Sequence, residues 1–136
     1  MGYYLQKVLS PRIVAIAVLA YFAPVVSMAI AALVLTICDL VLGVWAARKR
    51  GEKITSAGFR RTISKGLIYC CALIVAHVAG KELLGGLIPV AGLVAACIGV
   101  AEITSCLKNA SVVLGEDIFA SVIKALGSDN DQTPKK

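Results

Sequence analysis

Residues 13–47 contain one charged residue, Asp39, and residues 83–101 contain none. The basic residues crowd instead into one stretch, 48–65, where Arg48, Lys49, Arg50, Lys53, Arg60, Arg61 and Lys65 face Glu52 alone. Long uncharged segments flanking a basic loop cannot wrap into a water-soluble core, because too few polar residues remain to cover it. The pattern is that of a small polytopic membrane protein whose solvent is lipid.

Composition agrees. Hydrophobic residues make up 59% of the chain, and its mean hydropathy is +0.86. One membrane domain, residues 1–127, is expected, since two would each be too small to hold a core. The net charge of +6 suggests nucleic acid only until it is mapped. It is loop charge beside apolar segments, which sets orientation and attracts anionic lipid. No basic face interleaved with aromatics is present, so a nucleic-acid partner is not expected. The expected partner is the lipid bilayer. Cys38, Cys70, Cys71, Cys97 and Cys106 all lie in apolar stretches without metal-ligand spacing, and read as buried free thiols. No metal or other cofactor is expected.

The 35 residues from 13 to 47 would span about 52 Å as helix, against a hydrocarbon core of about 30 Å. Pro24 offers a break, so helices over about 9–23 and 25–48 are expected, with Pro24 tolerated in the first turn of the second. The first is short for a crossing and could span obliquely, dip and return, or lie in the interface. The first 27 residues also have the outline of a cleaved signal peptide, although the apolar run continues beyond them. Tyr3, Tyr4, Lys7 and Arg12 suit an interface. Gly51 closes the second helix. A third, about 57–80, starts polar from Thr55 or Ser56 and turns apolar at Gly66. Gly85-Gly86 makes a loop, and Pro89 opens a helix over about 89–107, with Gly115 as breaker. Residues 116–126 predict an amphipathic helix, with Ile118, Phe119, Val122, Ile123 and Leu126 on one face. It would lie on the membrane or against the basic loop. The tail 128–136 is polar and predicted to be disordered. The fold class is all-α: three to four transmembrane helices plus the C-terminal amphipathic one. The basic loop and C-terminus face the cytoplasm by the positive-inside rule.

Three polar residues sit inside apolar helices: Asp39, Glu102 and His77. Acids at membrane depth are costly and face protein or water. Asp39 lies on a stripe with Thr36, Gly43 and Ala46. Glu102 lies on another with Ala91, Ala95, Gly99 and Cys106. Small residues let helix backbones approach, so each acid is expected at a helix–helix seam, either lining a pore or fixing register. Lys65 and Lys108 are both open as partners. His77 is read as a hydrogen-bonded packing residue. With one His, scattered hydroxyls and no phosphate loop after a strand, no enzyme constellation is visible.

The run Asp39-Leu-Val-Leu-Gly43-Val-Trp-Ala-Ala47, then Gly51-Glu-Lys-Ile-Thr-Ser56-Ala-Gly58-Phe59 and Ser64-Lys65, resembles the phage holin family that also includes toxin-secretion holins. That family has an intramembrane Asp, a Gly four residues later, a basic loop, a Ser-x-x-Gly-like turn and a Lys opening the next span. Glu102-Ile-Thr-Ser105-Cys-Leu-Lys108-Asn109 is similar to the family's Asn-Glu-x-x-Ser-x-x-Glu-Asn, with Ala101 in place of the Asn and Lys108 in place of the second Glu. The resemblance covers about residues 25–115. It adds Ser105 and Asn109 to the intramembrane polar set. It implies a non-enzymatic phage or prophage protein that homo-oligomerises and opens lesions for timed lysis or toxin secretion. An endolysin and a regulatory antiholin would be indirect partners. The residues alone also allow a small oligomeric ion channel or depolarising effector, or a scaffold subunit that binds a partner through its basic loop.

Overall fold

A computed structural model describes residues 10–127; the expectations for the N-terminal interface residues before Ser10 and for the 128–136 tail fall outside it. The described chain is four α-helices. Helix α1 is Pro11–Lys49, α2 is Ser56–Val78 continued by a π-helical turn Ala79–Leu83, α3 is Val90–Leu114, and α4 is Ile118–Gly127. The first three are long and apolar enough to cross a membrane.

The expected break at Pro24 does not occur, and residues 9–23 and 25–48 are not separate helices: α1 runs through the proline. Proline removes one backbone donor and strains the carbonyls of the preceding turn, but in lipid an open backbone costs more than a strained helix. One side chain from another helix supports that turn, beside a local hydroxyl contact within α1. The Ser27 hydroxyl donates to the Pro24 carbonyl at 3.0 Å, and the His77 ring lies 3.0 Å from the Tyr21 carbonyl oxygen. A carbonyl can only accept, so His77 holds its proton on Nε2. At 39 residues α1 is roughly 58 Å long, well beyond a hydrocarbon core. The excess is at its start: every residue from 11 to 20 is exposed, and α1 first meets the end of α2 at Tyr21 and Phe22.

Helix α1 ends where Arg48 and Lys49 complement the carbonyl end and Gly51 takes a left-handed turn at φ 73°. Thr55 caps α2 through backbone geometry alone. The π turn leads into Gly85 and Gly86, both left-handed, and the Gly86 N–H returns to the Gly80 carbonyl at 2.9 Å. Gly80 must stay small there: a Cβ would stand 3.2 Å from Val90 Cβ and 3.3 Å from the Ile88 carbonyl oxygen. Helix α3 passes the expected end at residue 107 and stops at Leu114, where Gly115 at φ 77° closes it. Nothing between Lys108 and Leu114 breaks a helix. Asn109 and Ser111 are residues that often compete with the backbone; Asn109 spends its side chain on Asp39, and Ser111 bonds back to the Leu107 carbonyl one turn earlier, which a helix accommodates. Asp117 starts α4 by accepting the Ala120 N–H at 2.9 Å, and the Ser111 hydroxyl oxygen accepts the Ile118 N–H at 3.0 Å.

Helices α1, α2 and α3 pack on one another around Val25, Ala32, Leu73 and Ile98, with Phe22, Met28, Ala29, Tyr69, Val94 and Ala95 against them. This core is thin. Large apolar side chains point outward on every helix; Leu19, Leu67, Val75 and Val100 are each about two-thirds exposed. Helices that are apolar all round and only lightly buried are built for lipid.

A buried polar network as the candidate functional site

The two acidic stripes meet. Asp39 on α1, Lys65 and Tyr69 on α2, and Glu102 and Asn109 on α3 form one connected set. The Lys65 ammonium lies 3.0 Å from Glu102 Oε1 and 3.4 Å from Asp39 Oδ2. Tyr69 Oη donates to the same Glu102 oxygen at 2.5 Å, and Asn109 Nδ2 donates to Asp39 Oδ1 at 2.9 Å. Helical periodicity builds it: Lys65 and Tyr69 are one turn apart on α2, and Glu102 and Asn109 two turns apart on α3. Gly43 leaves room, since a Cβ there would be 3.5 Å from Asn109 Nδ2. Thr36, buried one turn before Asp39, turns its hydroxyl to the Ala32 carbonyl at 2.8 Å and stays out of the set.

Glu102 is the deepest member, 1% exposed, and its second oxygen, Oε2, has no partner. Fully ionised, the set holds two carboxylates against one ammonium. That imbalance is expensive away from water, so the contacts fix how the three helices register on one another, and removing the ammonium would leave both acids uncompensated. Lys65, not Lys108, is the partner of the acids. Lys108 lies instead over the Phe119 ring of α4, 5.9 Å from its centroid.

The remaining expected site residues fall elsewhere. His77 lies three turns beyond Lys65 on α2, roughly 18 Å away by helical rise. It belongs to a second cluster at the other end of the bundle. Its ring meets Tyr21 edge-on at 5.1 Å, the Tyr21 hydroxyl donates to Glu82 at 2.7 Å, and Lys81 stands over the Tyr21 ring at 4.4 Å. Gly99 is not at a seam within the chain; a Cβ there would meet nothing within 4 Å. Ser105 is half-buried and makes no side-chain hydrogen bond among the described residues. Tyr69, Tyr21 and Glu82 were not singled out from the sequence. Tyr69 carried a signal, one turn from Lys65; the Tyr21–Glu82 bond, across 61 residues, carried none.

The basic stretch divides by role. The Lys49 ammonium donates to the Val113 carbonyl at 2.7 Å and so closes the end of α3. Arg50 and Glu52 pair through two contacts, at 2.6 and 3.2 Å, on the open surface. That hydrogen bonding raises the Arg50 pKa and lowers that of Glu52. Arg48, Lys53, Arg60 and Arg61 make no ion pair among the described residues.

The chain matches no curated protein and no solved structure. The model of one family matches it, over residues 16–127, which takes in α1 beyond its first turn, α2, α3, the polar network and α4. A bundle apolar on its outside, joined by part-buried charges and matched over most of its length, places this chain in the bacteriophage holin family.

Proposed function

We propose that this protein is a pore or lesion former of the bacterial inner membrane. Many copies associate and open a passage for an endolysin or a secreted toxin. Residues 1–127 act as one membrane domain, and an antiholin would regulate it indirectly. The observation that carries the reading is the part-buried network of Asp39, Lys65 and Glu102 in a bundle of only three spans. Three helices enclose no passage for a protein, so a large opening needs many copies. Charges held at a seam are the groups that can later face water. Gly99, open on the surface of α3, offers a close approach for a neighbouring copy. The seven basic residues of 48–65 hold that loop and α4 in the cytoplasm, and three crossings put Pro11 on the outer side.

The test is release of graded cargo from vesicles carrying the full chain. A small dye and a protein-sized cargo should both escape, and Asp39→Asn or Glu102→Gln should change the onset and the oligomer size without preventing insertion. Dye release alone would support the ion channel instead. Orientation is read separately: a cysteine at Glu52 should react only with reagents applied from the cytoplasmic side.

A further inference from the structure

The last turns of α1 and the start of α2 frame an open groove of about 750 Å³, the size of a small-molecule site. Val41, Val44, Trp45 and Phe59 line it, and Arg48 and Lys49 stand at its mouth. The walls are apolar and face the bilayer; the mouth is cationic. The two cations differ. Lys49 is committed to the Val113 carbonyl, whereas Arg48 has no carboxylate. Glu52, the acid of the adjoining loop, is occupied by Arg50. The Trp45 ring, 58% exposed, has no partner for its indole N–H among the described residues.

We infer that this groove binds an anionic phospholipid of the leaflet on the basic-loop side. Its phosphate sits on the Arg48 guanidinium, and an acyl chain lies along Val41, Val44 and Phe59. Arginine suits the task because its planar fork meets two phosphate oxygens at once. From Val41 to Arg48 the helix rises about 10 Å, which places the apolar contacts below the headgroup, in the acyl region. Lys53, Arg60 and Arg61 add to the local positive potential. A second copy is the poorer occupant. In the same orientation it would bring another basic loop to the same depth, and like charges would meet. The site depends only on membrane insertion and stands whether or not copies form a lesion.

Trp45 is the one tryptophan in the chain, so its fluorescence reports on this groove alone. The full chain is reconstituted in phosphatidylcholine vesicles with a fixed fraction of brominated phosphatidylglycerol or brominated phosphatidylcholine, whose bromines quench indole on contact. The anionic lipid should be preferred about fivefold, the equivalent of about 1 kcal/mol for one basic residue at the surface. Arg48→Gln should bring the ratio close to one, and Arg48→Lys should keep part of it. Lys53→Gln removes the same charge away from the groove and should leave the ratio within about twofold of the original. Equal quenching by both lipids in the unaltered chain would overturn the assignment. So would equal losses in Arg48→Gln and Lys53→Gln, since general charge would then be the cause. Trp45 shielded from both lipids would show the groove filled by another copy, and would overturn it too.

Discussion

Replacing Lys65 by methionine keeps the length of the side chain and removes the one cation between Asp39 and Glu102. The two contacts of Lys65, 3.4 and 3.0 Å, put the facing carboxylate oxygens no more than about 6.4 Å apart. At that separation two like charges repel by roughly 2.5 kcal/mol at an effective dielectric constant of 20. Removing one partner of a fully buried pair costs about 3–5 kcal/mol. Neutral hydrogen bonds between membrane helices average about 0.6 kcal/mol. The Lys65 side chain is 34% exposed, so the upper figure needs discounting, and a loss of about 2 kcal/mol is expected. The assay is reversible unfolding in mixed micelles, run as a cycle with Glu102→Gln. Glutamine keeps an acceptor for Tyr69 and carries no charge, so it should recover most of what Lys65→Met loses. A coupling energy of about 2 kcal/mol is expected between the two sites. A coupling below about 0.5 kcal/mol would mean that the two side chains act independently, and the network would not be what joins α2 to α3.

Two further substitutions probe the remaining geometry. Gly43→Ala should be tolerated, because its methyl would make ordinary contact with Asn109, whereas Gly43→Leu should push Asn109 off Asp39 and cost about 1–3 kcal/mol in the same unfolding assay. His77→Phe keeps an aromatic ring beside Tyr21 but leaves its carbonyl without the ring donor, which should cost between about 0.6 and 1.7 kcal/mol; His77→Gln, with a donor restored, should recover part of it.

Much of this arrangement was legible in residue spacing. Asp39 and Glu102 each lay on a stripe of small residues, which is why both ended at helix contacts. The stripe on α3 did not predict its own use, however. Ala91 is buried while Gly99 looks into open space, since a periodic pattern marks a face and says nothing of how far along the helix the neighbour extends. The choice between Lys65 and Lys108 was not legible either. Lys108 is under two turns from Glu102 while Lys65 has no acid near it in sequence, and only the packing, which sets Lys65 against both acids and draws Lys108 over Phe119, separates them. Pro24 misled for a related reason. Local chemistry predicts a break there, but the donor that supports the turn before the proline comes from His77 in another helix, 56 residues from the carbonyl it meets.

Lipid changes what holds such a bundle together. In water, burying Leu73 and Ile98 would drive association; against acyl chains the same burial yields little beyond packing. Cohesion then rests on the few polar contacts at the two ends: Lys65 between Asp39 and Glu102 at one, Tyr21 with His77 and Glu82 at the other. Polar contacts of this kind can be exchanged between copies, because a carboxylate is satisfied as well by a neighbour's ammonium as by its own. The net cost of trading an internal contact for an external one is small, and the balance between separate and assembled chains is then set by mass action. On the proposed reading, a chain that accumulates in the membrane approaches that balance point with each new copy. A substitution that stabilises the internal network should move the point to a higher copy number and delay assembly; one that loosens it should advance assembly. Gly43→Leu, which pushes Asn109 off Asp39 and leaves Lys65 available to a neighbour, should therefore release cargo earlier than the unaltered chain at equal expression. Later release, with insertion unchanged, would show that the network is needed in the assembled state rather than holding the separate one.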